Sequence, residues 1–199
     1  MPTLSAARWT FWAYGAYSIL AVMLVAAAYT DVRYGKIHNA ITYPAVVIGL
    51  IGHMIGGGAG YRELPPLGLG GSAAGLAAGF LPLLVVWLAG GIGGGDAKVM
   101  GAVGALTGWR FTLAAMLYGF AVAAIMAIVV MIMKRVTRRT LGRIWRFFLL
   151  LFTPGGRTDP ATAESPKVPF GLALCVGAGI ALVEAMVRGP VANKLLLGW

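Results

Sequence analysis

Two aspartates hold the chemistry this sequence can do. Asp31 ends the first apolar run, in Tyr29-Thr30-Asp31-Val32-Arg33, and Asp96 closes the glycine cluster Gly93-Gly94-Gly95-Asp96-Ala97-Lys98 after a second apolar run from Leu67 to Ile92. Insertion scales put an Asp at the centre of a membrane helix at about 2.5 to 3.5 kcal/mol, so a carboxylate ending such a run is a functional candidate by default. If the intervening segments form a hairpin, both acids reach one membrane face. Two carboxylates brought together from separate helices are the minimum equipment for activating a water, one as general base and the other as general acid.

The neighbours suit that chemistry, although each also has a plainer role. Gly93 and Gly95 permit unusual backbone angles and the close approach of an extended peptide. Lys98, two residues after Asp96, is placed to hold a substrate carbonyl or to favour ionisation of an acid within about 4 to 6 Å. Asn39 can cap the helix that follows it. The plainer readings are that Asp96 caps a short helix, that Asp31 pairs with Arg33 or Lys36 in a solvated turn, and that Lys98 only sets topology.

The elements that position these residues follow from composition. Of 199 residues, 59% are hydrophobic and only 11% charged, and the mean hydropathy is +0.84. An average soluble domain carries roughly 25% charged residues, so the chain reads as a polytopic membrane protein. The fold class is all-α, a membrane-embedded helical bundle of about six transmembrane helices, since six spans of roughly 20 residues fill the length. One membrane-embedded domain, residues 1 to 199, accounts for the chain, with a basic loop at about 134 to 167. The 30 glycines suit close helix contact in lipid.

The first span is read from Phe11 to Thr30, followed by a polar hairpin from Asp31 to Asn39. Ala26-Ala27-Ala28 resembles a signal-peptide cleavage site, but the run is long enough to span and is read as a retained helix. The second helix runs from Asn39 to about Ile55 and stops at Gly56-Gly57-Gly58. The third extends from Leu67 to Ile92, with Gly71, Gly75 and Gly79 on one face as a close-packing stripe and with Pro82 as a kink. Ala97 to Thr107 is a short fourth segment, expected to be buried among longer helices. Phe111 to Met133 is the fifth span and Val168 to Val187 the last. Between them, basic and bulky apolar residues alternate from Leu141 to Phe152, as in a helix lying on an anionic lipid surface.

The net charge of +10 marks topology rather than nucleic acid. Eleven Lys and Arg fall on the side that carries Asp31 and Asp96, and five, Arg8, Arg62, Arg110, Arg188 and Lys194, on the other. The first side is therefore cytoplasmic, with both termini outside. His38 and His53 have no metal-ligand spacing, Cys175 has no partner cysteine, and no metal or other cofactor is expected. Glu63 lies in the outer loop, and Glu184 is expected to pair with Arg188 four residues on.

Three segments together resemble the prepilin peptidase family, membrane aspartic proteases with a Gly-x-Gly-Asp signature. They are Asp31-Val32-Arg33 with Ile37-His38-Asn39, then Gly93-Gly94-Gly95-Asp96-Ala97-Lys98, and finally Val168-Pro169-Phe170-Gly171. The resemblance implies that Asp31 and Asp96 are the catalytic pair and that the substrate is a prepilin or pilin-like precursor, cut behind a short basic leader at the cytoplasmic membrane face. His38 stands where many relatives carry Pro. Longer relatives also have an insert with paired Cys-x-x-Cys motifs, associated with methylation of the new N-terminus. With Cys175 its single cysteine, this chain resembles the short form serving tight-adherence pili or related systems, which implies peptidase activity without methyl transfer. The alternatives from other classes are a small ion- or proton-coupled transporter using the two aspartates, and an assembly factor binding through its basic loop.

Overall fold

Apolar runs uninterrupted by charge become helices, and in the computed structural model six are described, with no strand among the described residues. Those residues are 4 to 56, 68 to 134 and 169 to 188, with side chains described from residue 15 on and not at Gly56 or Arg188. The helices are α1 (Leu4–Tyr34), α2 (Asn39–Gly56), α3 (Gly68–Leu88), α4 (Gly94–Thr107), α5 (Trp109–Met133) and α6 (Phe170–Arg188). Four of them, α1, α3, α5 and α6, are long and apolar enough to cross a membrane. The chain divides into two compact units, one of Met1–Val122 with Pro169–Trp199 and the other Ala123–Val168. The expected basic loop belongs to the second and, apart from Lys134, lies outside the described residues, as does Glu63.

The boundaries differ from expectation where the chemistry lies. The first helix does not end before Asp31 but runs on to Tyr34, so Asp31 stands on its last turn rather than in a hairpin. The helix closes at Gly35, whose φ of 61° is the left-handed conformation only glycine adopts cheaply. Its N–H returns to the Asp31 carbonyl at 2.8 Å, a common helix stop. Likewise α4 starts at Gly94, three residues early, and brings Asp96 into its first turn. The break between α4 and α5 is the single residue Gly108, at a φ of 84°.

Helix α4 is the centre of the first unit. Its 14 residues, about 21 Å at 1.5 Å per residue, fall short of a hydrocarbon core of roughly 30 Å. It is surrounded instead, with Asp96, Ala97 and every residue from Val99 to Thr107 buried. Such a helix end has carbonyls without intrahelical partners and no water to serve them. Neighbouring helices supply the donors: Ser72 Oγ donates to the Ala105 carbonyl at 2.6 Å, and His53 Nε2 donates to the Leu106 carbonyl at 3.0 Å. His53 is thus a donor buried between α2 and α4, in line with the packing role expected for it.

Close approach to α4 requires small residues. A methyl on Gly75 or Gly79 would overlap the Gly104 or Met100 carbonyl, and one on Gly49 would come within 2.7 Å of Ala105. Gly75 and Gly79 therefore act as the glycine stripe expected of the third helix. Pro82 and Pro44 both remain within continuous helices. On the other side, Gly177 of α6 seats directly on the Gly119 backbone of α5.

Candidate active site

Three helix ends converge where the acids lie: the last turn of α1, the first turn of α4 and the first turn of α6. The geometry is best read from Gly171, the second residue of α6. A β-carbon placed there would lie 2.8 Å from Asp31 Oδ2 and 2.8 Å from Asp96 Oδ1. The two oxygens are therefore within twice that distance of each other, at most about 5.6 Å. Below that limit a single water beside Gly171 can bridge the two with hydrogen bonds of ordinary O–O length, about 2.8 Å. Residues 65 positions apart in sequence thus share one small space.

Each carboxylate is held by a backbone N–H. Leu172 N–H donates to Asp31 Oδ2 at 2.8 Å, and Gly93 N–H donates to Asp96 Oδ2 at 3.1 Å. The capping role considered for Asp96 is therefore real, but it occupies Oδ2 and leaves Oδ1 turned toward Asp31. Asp96 is only 6% exposed, whereas Asp31 is half-buried. Asp96 belongs to α4, outside the four spanning helices, and burial together with the nearby Asp31 raises its carboxyl to about 6, against the opposing pull of the Gly93 N–H.

The supporting residues are arranged differently from expectation. Gly93 has φ −77° and ψ 144°, extended backbone that any residue adopts, so no unusual angle explains it. Gly95 lies close against Ile37, where a β-carbon would sit a tight 3.0 Å from Ile37 Cβ. Lys98 turns to α2: its ammonium donates to Asn39 Oδ1 at 2.8 Å and lies 5.6 Å from the Tyr43 ring centre. The net shift on Asp96 is upward, the reverse of what a cation held against it would cause. Asn39 is the first residue of α2 rather than the cap before it, and its side-chain oxygen accepts from Lys98, which ties the start of α2 to α4.

Gly171 and Leu172 complete the arrangement, although the residue pattern alone did not single them out. Gly171 closes Val168-Pro169-Phe170-Gly171, and its position at a helix start is legible. What it touches is not. Elsewhere, the Tyr118 hydroxyl donates to the Glu184 carboxylate across the α5–α6 contact, and the pairing expected with Arg188 lies outside the described side chains. No group of three or more His, Cys, Asp or Glu side chains able to hold a metal occurs among the described residues.

The fold and these paired carboxylates define a multi-pass, all-helical membrane protein with an acidic centre at converging helix ends. Residues 18–128, more than half of the chain, match the model of the type IV leader peptidase family, and the chain belongs to that family. Membership makes it a protease of the prepilin-peptidase type, with pilin-like precursors as the substrate class. No curated protein and no solved structure matches the chain.

Proposed function

We propose that the protein is an aspartic endopeptidase that removes the leader peptide of a prepilin-like precursor at the cytoplasmic membrane face, with Asp31 and Asp96 as the catalytic pair. The observation that carries the reading is the approach of both carboxylates to the same point beside Gly171. A proton shared by two close carboxyls rests on the one held further from water, which is Asp96. Asp31 then takes a proton from the attacking water as its oxygen adds to the scissile carbonyl, and Asp96 gives its proton to the developing oxyanion. Collapse of the tetrahedral intermediate breaks the C–N bond as protonated Asp31 gives its proton to the leaving nitrogen and a hydroxyl of the intermediate returns a proton to Asp96, which yields a new carboxyl end and a new amino end.

Lys98 and Asn39, tied together at the starts of α4 and α2, and Gly93 and Gly95 beside Asp96 form the supporting rim that positions the extended substrate. A single cysteine leaves no paired Cys-x-x-Cys insert, so cleavage proceeds without N-methylation. The excess of Lys and Arg on the side of the two acids supports a reading in which that side faces the cytoplasm of an inner-membrane protein, both termini outside, with the basic segment against anionic lipid.

The test is to co-express the protein with a pilin-like precursor and to follow the precursor by gel shift and N-terminal sequencing. Wild type releases a defined new N-terminus without a methyl group, and Asp31→Asn and Asp96→Asn leave the precursor intact. Normal processing by either variant would sink the dyad. Asp96-dependent ion flux in proteoliposomes without cleavage would favour a transporter instead.

A further inference from the structure

We propose that the start of α6 is a third component of this centre: Gly171 sets the spacing of the two carboxylates, and the Leu172 N–H fixes Asp31 within it. The proposal rests on the reading of Asp31 and Asp96 as the catalytic pair. It adds positioning residues on a helix beyond the matched residues 18–128.

A β-carbon at Gly171 would stand 2.8 Å from an oxygen of each carboxylate and 2.9 Å from Asp31 Cγ, closer than non-bonded carbon and oxygen tolerate. Relief costs a contact on every side. Asp31 cannot swing away without losing Leu172 N–H, nor Asp96 without losing Gly93 N–H. Helix α6 cannot withdraw, because Ala173, Leu174 and Ala178 are fully buried and Gly177 rests on Gly119. A methyl at position 171 therefore forces the acids apart. Misplacing a reacting group by about 1 Å can cost about 100-fold in rate.

The same helix provides its own control. Gly179 has nothing within 4 Å of its β-position, so Gly179→Ala adds an equal methyl with no clash. Leu172 offers a separate handle. It is the third residue of α6, where an N–H has no partner inside the helix and proline is tolerated. Leu172→Pro thus removes the donor to Asp31 and turns the proline ring carbon toward Asp31 Oδ2, so the carboxylate loses its anchor and is displaced.

The experiment uses full-length protein in proteoliposomes with a pilin-like precursor, measuring kcat, KM and the thermal midpoint. Gly171→Ala is expected to lower kcat about 100-fold with KM within about threefold. Leu172→Pro is expected to lower kcat about tenfold or more, since loss of one hydrogen bond to a charged group alone implies that much. Gly179→Ala is expected to match wild type. A folded Gly171→Ala protein with wild-type kcat overturns the proposal. If Gly171→Ala does not fold, wild-type kcat in Leu172→Pro overturns it. Asp31→Asn and Asp96→Asn run alongside separate the two readings: normal cleavage by these brings down the catalytic pair itself, whereas an active Gly171→Ala beside two dead aspartate variants removes only the role of α6.

Discussion

Asp31 with Asp96, and Glu184 with Tyr118, are both acid-containing contacts between helices of the same unit, and they are built in opposite ways. Glu184 meets a hydroxyl from the neighbouring helix, a donor matched to an acceptor. Asp31 and Asp96 meet each other, acceptor against acceptor, and their donors are backbone N–H groups at helix starts. A donor matched to an acceptor satisfies a polar group and locks two helices, whereas two acceptors stand together only if a proton or a water lies between them. An acid among apolar helices is therefore not in itself a site. Its partner decides.

The comparison can be broken most sharply at the aspartates. Asp31→Asn and Asp96→Asn are each expected to lower precursor cleavage about 1,000-fold or more, within the range for loss of a positioned acid or base, with membrane insertion and thermal midpoint unchanged. A second route separates packing from chemistry. Gly104→Ala pushes a methyl into the Gly75 backbone, and overpacking of this kind costs about 1–3 kcal/mol. A lower thermal midpoint is expected, with activity lost only in proportion to folded protein and KM unchanged.

The pH profile sharpens the reading of Asp96. Its carboxyl is raised to about 6, and the proposed chemistry needs it protonated, a state present below that value and lost as pH rises through it. An alkaline limb in kcat/KM is expected with its midpoint near about 6, rather than near the ordinary Asp value of about 3.9. The smallest effect belongs to the other acid. Glu184→Gln keeps an acceptor for the Tyr118 hydroxyl, so cleavage within about threefold of wild type and a stability change of about 1 kcal/mol are expected. Loss of cleavage comparable to that of the aspartate variants would erase the distinction between the two contacts.

Much of this was legible from residue types. The order of six helices follows from apolar runs separated by glycine, proline and charge, because backbone in lipid has no alternative to internal hydrogen bonding. The contact face of α3 was readable from Gly75 and Gly79, since small residues at four-residue spacing serve little else. The polar stretch after Thr30 looked like a hairpin because Asp, Arg and Lys are poor company for lipid. Yet its first turn is helical, and that places Asp31 on a rigid element. Lys98 reads equally as a cation near an acid, a holder of a substrate carbonyl or a topology signal, but residues two apart do not share a helix face, and its ammonium donates to Asn39 on α2.

The sequence by itself determined that this chain is an all-helical membrane protein and that Asp31 and Asp96 are the acids to watch, because the cost of placing charge among apolar segments is a local property. Only the tertiary structure decided that the two acids meet, that α4 is enclosed by the other helices, and that Gly171, 140 residues from Asp31, stands between them. The reason is that a glycine's necessity depends on what a side chain there would strike, and that is fixed by which helix faces come together, not by the residues on either side of it.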